Sequence, residues 1–345
     1  MLGGCSTSHN HAPHTHLYFV DLCLVVVAEG TFRGNDDTKT PLVASGVASV
    51  LNLILDPLLM FPMKLGMMGA AVATAVSQVA ALSVYVWRLW RRKLLPQPTD
   101  PILPKGTTIR IIQSIVGANA SMLAKQGSLL VFYTMATARA TRMGPVHIAT
   151  HQIALSLFWL VTMWLDSGSI SAQMIMGRTL LDPRRSTNDN VNGNHNNRAD
   201  HGAAADALSL TKYFVKYSLA QGLAFSVLVG GLGKFVPGIF TQDVEIQRLL
   251  LQCVPHLAIQ QTVVSVVLIL EGLAIGAGNQ FRYMAIGTAL STTGGVYQLM
   301  RATDVVGIWS LAVNTFFGFR LVNAIIGVSR VHWSLKQKKT KQGRT

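Results

Sequence analysis

Three ionisable side chains stand where a charge is expensive. Lys125 sits in VGANASMLAKQGSLLVFY, Asp166 in LFWLVTMWLDSGSISA and Glu271 in VVSVVLILEGLAIGAG. In a segment that crosses a bilayer, a charge near the centre costs about 2.5–3.5 kcal/mol on insertion scales. Charges kept at that cost pair with one another or mark a path for a solute or an ion. The chemistry in reach is reversible capture of H⁺ or Na⁺ by a carboxylate, with Lys125 tuning that carboxylate by opposite charge. Gln126, Gln152, Gln173 and Gln260 are candidates to line the same polar cavity. The alternative is a buried ion pair that joins two helices and takes no part in transport, with the amides as helix–helix glue. Pro255 is expected to kink its helix and free a backbone carbonyl.

The elements that must carry these residues are long and apolar. Half of the 345 residues are hydrophobic and 13% are charged, against about 25% charged in an ordinary soluble chain. Runs near the length needed to cross about 30 Å of hydrocarbon are read at 42–61, 67–90, 110–137, 147–176, 211–238, 248–276, 282–303 and 306–330. Leu17 to Gly30 is apolar but too short to span alone. The expected class is an all-α integral membrane protein with the lipid bilayer as its main partner. The net charge of +14 does not indicate nucleic-acid binding, because the charges lie in the connections. Arg88, Arg91, Arg92, Lys93 and Lys105 fall on the same side as Arg178, Arg184, Arg185 and the tail lysines. The positive-inside rule puts that side in the cytoplasm.

Cys5, Cys23 and Cys253 form no CxxC pair. No P-loop, HExxH or GxSxG is present, and no cofactor, resident metal, obligate protein partner or signal peptide is expected. His9, His11, His14 and His16 make a close-spaced tract, read as a metal-binding stretch or a solvated tail. Asn35-Asp36-Asp37 faintly resembles the Asp-rich Mg²⁺-diphosphate motif of membrane prenyltransferases. However, no second Asp cluster follows in a matching connection, so an enzyme is the remote alternative.

The chain repeats itself. Glu29-Gly30-x-x-x-Gly34 recurs as Glu271-Gly272-x-x-x-Gly276, each at the end of an apolar run, and Gly69 and Gly307 open the spans that follow. A duplicated transporter architecture is the expectation. Three spans precede the second copy and none precedes the first. The organisation read from this is a tail at 1–16 and a partial N-terminal bundle at 17–92. A cytoplasmic linker follows at 93–107, then a six-helix C-terminal bundle at 108–332 with a disordered insertion at 183–205, and a basic tail at 333–345.

The stretch Gly30-Thr-Phe-Arg33-Gly34-Asn-Asp-Asp37-Thr38-Lys-Thr-Pro41-Leu42 resembles the FRGxxDTKTPL connection of the multidrug and toxic compound extrusion (MATE) transporters, most nearly their DinF-like branch. Asn52-Leu-Ile-Leu-Asp56-Pro57, Gly69-Ala-Ala-Val-Ala-Thr74, His151-Gln152-Ile153, Gly307-Ile-Trp-Ser310 and Arg320 continue the likeness. The resemblance implies a two-bundle transporter whose helices one to three, and part of four, have no counterpart in this sequence. It implies export of small organic solutes (drugs, metabolites or organic acids) by antiport with H⁺ or Na⁺, from a plasma or organelle membrane such as a plastid envelope. The rival reading is a truncated remnant that inserts but transports nothing. Arg33, Gly34, Asp37, Thr38 and Pro41 carry this family-motif connection, in which Arg33, Asp36, Asp37 and Lys39 would form a salt-bridged cytoplasmic turn closed by Thr40-Pro41 rather than a substrate site.

Overall fold

The computed structural model describes residues 24–25, 27–32, 37, 39–92, 108–181, 197–233, 235–278 and 280–342. Among these, every regular element is helical, as the apolar runs predict. They are α1 (Lys39–Met60), α2 (Gly66–Arg91), α3 (Thr108–Arg142), α4 (Pro145–Leu181), α5 (Asn197–Leu232), the short α6 (Val236–Phe240), α7 (Val244–Gly276) and α8 (Phe281–Arg301). The last long element begins as α9 (Val305–Gly307), passes through a π-helical segment (Ile308–Val313) and continues as α10 (Asn314–Gln342).

Six helical stretches among the described residues are long and apolar enough to cross a bilayer: α1, α2, most of α4, α5 from Asp206, α7, and the final element to Gln337. The other two expected spans, α3 and α8, fall outside that set and pack on each other. Surface chemistry agrees. Leu42, Val50, Leu53 and Ile54 of α1 are exposed, and only 6% of its apolar window is buried within the chain. A helix that leaves so much apolar surface uncovered belongs in lipid rather than water. The chain is a multi-pass integral membrane protein.

The chain divides into two compact units between Gly106 and Thr107. In the first, α1 and α2 form a helical hairpin whose turn holds Lys64 and Gly66 at φ of 53°. A Cβ on Gly69 would lie 2.8 Å from the Leu59 carbonyl carbon, so the residue beside that turn must be glycine. Asn52 donates to Thr74 across the hairpin at 3.3 Å. Asp37 caps α1: its Oδ1 accepts from the backbone N–H of Lys39 and of Thr40, both at 3.0 Å, and its Oδ2 accepts from the Thr40 hydroxyl. The same Oδ2 lies 2.8 Å from Arg92 Nη2 just past the end of α2, which ties the two helix ends together. Pro41 is buried in the first turn, where a missing N–H does no harm.

The Thr40 hydroxyl, then the backbone N–H groups and Arg92, hold the Asp37 carboxyl below its ordinary 3.8. A carboxyl whose folded value is depressed contributes stability above its unfolded value and loses it as pH falls through the folded one. Asp37→Ala is therefore expected to destabilise the hairpin by about 1 kcal/mol, the usual worth of such a cap. The difference from wild type should be present at neutral pH and be lost as pH falls below the ordinary carboxyl value, through the depressed folded one. Amide exchange at the first turn of α1, followed against pH, checks it.

The second unit is built around α7, with 72% of its apolar window buried. α4, α5 and α10 pack against it, and the α3–α8 pair joins the bundle where α8 meets α10. Two expectations are corrected here. Residues 197–205, read as part of a disordered insertion, are the opening turns of α5. Ala199 and Ala203 to Ala205 supply helix propensity that outweighs the polar, repetitive look of the segment. The span read at 211–238 ends at Leu232, and α6 follows as a separate turn. The tail 1–16, the linker 93–107, residues 183–196, and Arg33, Gly34, Asp36 and Thr38 lie outside the described residues.

Candidate functional site

Glu271 is 2% exposed on α7, buried although the helix ends five residues later at Gly276. It is therefore not a helix cap reached by water. Arg320 of α10, 3% exposed, grips it with a fork: Nε donates to Oε1 at 3.0 Å and Nη2 to Oε2 at 2.8 Å. Lys125 of α3 adds its ammonium 2.6 Å from Oε2. One carboxylate thus joins three helices. Two-point guanidinium–carboxylate contact is among the stronger hydrogen-bonded arrangements available to a buried acid. The guanidinium carbon also lies 5.5 Å and 5.2 Å from the ring centroids of Phe316 and Phe317, close enough for cation–π attraction.

A cavity of about 200 Å³ opens beside this cluster. Lys125, Gln126, Tyr133, Thr162, Asp166 and Arg320 supply its polar wall, and Phe158, Trp159, Leu268 and Phe317 its apolar wall. Mixed walls of this kind suit a solute with an apolar body and a few polar groups. Asp166 is near enough to act through space on Arg320. Glu271 itself is set behind the wall and meets the cavity through the two cations.

The helices carrying Asp166 and Glu271 are held at close range by small residues. A Cβ on Gly272 would fall 2.5 Å from the Ser169 carbonyl oxygen, and one on Gly276 would fall 2.3 Å from that of Gln173. Ser169 Oγ donates to the Leu268 carbonyl at 2.8 Å. Glycine carries no side chain, so at these positions two helix backbones can touch. Gly30, in the first copy of the repeat, meets no atom within 4 Å at its Cβ position, so the two copies have different surroundings. Gly272→Ala is expected to push α4 from α7 and to destabilise the bundle by about 1–3 kcal/mol, as overpacking does. A thermal melt in detergent reads that loss.

The sequence-derived candidates separate into two groups. Lys125 and Asp166 share the cavity wall, and Glu271 is bonded to two of its residues. Gln126 joins them. Gln152 is exposed near the start of α4, Gln173 is half-buried against Gly276, and Gln260 donates to Asn314 elsewhere in the bundle; none of the three lines the cavity. Of the family-motif residues, Asp37 and Pro41 are structural at the head of α1. Arg320, the two-point partner of Glu271, is a site residue that the sequence reading does not select. It stands inside the apolar run 306–330, and the criterion that selected Lys125 would have selected it too.

No family profile matches the chain. It is 28% identical to Protein DETOXIFICATION 43 of Arabidopsis thaliana over 94% of this chain and 57% of that protein. It is 25% identical to Multidrug and toxin extrusion protein 1 of Mus musculus over 80% of this chain and 46% of that one. Its fold matches the bent form of the Vibrio cholerae MATE transporter VcmN with a TM-score of 0.73 at 16% identity, over 94% of this chain and 70% of the other. In sequence the chain is similar to DETOXIFICATION and multidrug and toxin extrusion proteins, and in fold to MATE transporters. The chain spans about half the length of the curated relatives it matches.

Proposed function

We propose that the chain belongs to a secondary active transporter that exports an organic solute against an inward H⁺ or Na⁺ gradient. The observation that carries this reading is the buried Glu271–Arg320–Lys125 cluster beside a mixed-wall cavity, inside a bundle of membrane-spanning length. Joining helices in lipid does not require charge, since packing of small residues does it, and replacing a buried ion pair by apolar groups is often neutral or stabilising. A charge cluster kept beside a cavity therefore fits a path for ions and solute. The mouse relative's name, with multidrug and toxin extrusion in it, supports organic solutes as the cargo class.

A second reading is insertion without transport. It is favoured by the closed pairing of Glu271, whose carboxylate is held by Arg320 and Lys125 as an inert tie among three helices would be. Reconstituted vesicles discriminate. With an imposed gradient, efflux of a fluorescent organic cation and of a labelled organic acid is measured. Gradient-driven efflux of either supports antiport; efflux that needs ATP or ignores the gradient refutes it; no efflux from well-folded protein supports the second reading.

A further inference from the structure

The Glu271 carboxylate has two oxygens and about four lone-pair directions. Three are taken, two by Arg320 and one by Lys125. The two cations hold it differently. Arg320 is a planar fork fixed against two phenyl rings. Lys125 is a point charge on a flexible stem, its side chain is 12% exposed, and it stands on the cavity wall with Asp166.

The formal charge of this neighbourhood is two cations, Lys125 and Arg320, against two carboxylates, Glu271 and Asp166, or zero. Without Lys125 it would be −1. Gln126, Tyr133, Thr162 and Asp166, each with a side-chain oxygen, would still line the cavity, and oxygen ligands with net negative charge are what a hard cation binds. With Lys125 present, an ammonium 2.6 Å from Oε2 leaves no space for a metal ion between them, whereas a proton needs none.

We infer that the Lys125 ammonium is a tethered cation that occupies, at Glu271, the place a free Na⁺ would take. The wild-type site is closed to Na⁺, and a chain without Lys125 is open to it. For coupling, this selects H⁺ over Na⁺ at Glu271; that consequence rests on the antiport reading, while the binding claim does not.

The test uses the full chain in nanodiscs of neutral lipid, melted in NaCl and in N-methylglucamine chloride at equal ionic strength. Wild type is expected to melt alike in both. Lys125→Ala is expected to melt about 3 °C higher in NaCl, the shift a tenfold excess of ligand gives a unit of this size. Lys125→Arg keeps the charge and should show no Na⁺ response, and the Lys125→Ala/Glu271→Gln double variant should lose the response gained. If Lys125→Ala does not fold, Lys125→Met carries the same test. A well-folded Lys125→Ala or Lys125→Met chain with no Na⁺ response overturns the inference. So does saturable ²²Na⁺ binding by wild type that Glu271→Gln removes. Because the readout is binding, a failure of transport in the vesicle assay leaves this result independent.

Discussion

Arg320→Met is expected to lower the melting temperature of the chain by about 10 °C, from a destabilisation of about 3–5 kcal/mol. The reason is the state it leaves behind. Glu271 is 2% exposed, and the guanidinium supplies two of its three short contacts. Methionine replaces the stem but not the fork, so Glu271 keeps Lys125 alone and one oxygen loses its donor. Breaking a buried pair by removing one partner costs far more than the intact pair is worth. Glu271→Met/Arg320→Met removes the buried carboxylate together with its fork and leaves only Lys125, which stands on the cavity wall with Asp166, so it should recover part of the loss. Arg320→Lys should fall between, since an ammonium restores charge without the two-point geometry. Thermal melts of the four chains in one detergent settle it. A single Arg320→Met chain that melts within 2 °C of wild type would mean that water reaches Glu271 and that the cluster is not a sealed site.

The sequence made the membrane character, the order of helices and two thirds of the charge cluster legible, because a lone charge in an apolar run is conspicuous whatever its partners. What it left hidden was depth and pairing. Gln152 and Gln173 lie within about 40° of Asp166 around an ideal helix, but about 21 Å and about 11 Å away along its axis, at 1.5 Å per residue. Gln260 is likewise on the face of Glu271 but about 17 Å distant. Helical periodicity reports the face of a residue; only packing between helices decides which level of that face meets the cavity. The partnership of Arg320 with Glu271 depends on α10 lying against α7, a contact across 49 positions of sequence that no local pattern encodes. The glycines were more legible. Gly272 and Gly276 follow Glu271 at a spacing that lets backbones approach, and the Ser169 and Gln173 carbonyls do so. The opening turns of α5 were missed because composition was read as disorder where alanine content favours a helix.

Glu271→Gln is expected to abolish the gradient-dependent part of efflux in reconstituted vesicles. Glutamine has nearly the shape of glutamate and keeps one acceptor oxygen, but it cannot titrate and it turns an amide NH₂ toward a cluster of donors. Arg320 and Lys125 are then two cations with no carboxylate between them, and at least one short contact becomes donor against donor. The sequence alone predicts a variant that inserts and expresses like wild type. The pairing adds a second expectation: insertion unchanged, because a neutral residue crosses more readily, but stability lower by about 1.5–3 kcal/mol for the lost charged hydrogen bonds. The two effects must be separated. Glu271→Asp keeps the charge and shortens the reach by one methylene, so it should also destabilise yet retain a response to the imposed gradient. Flux is therefore compared among wild type, Glu271→Asp and Glu271→Gln at a temperature where all three are folded, with external pH varied. Loss of the gradient response in Glu271→Gln alone assigns the coupling step to this carboxylate. If Glu271→Gln transports normally with an unchanged pH dependence, the cluster is a structural tie among α3, α7 and α10, and Asp166, already on the cavity wall beside Arg320, is the coupling residue to test next.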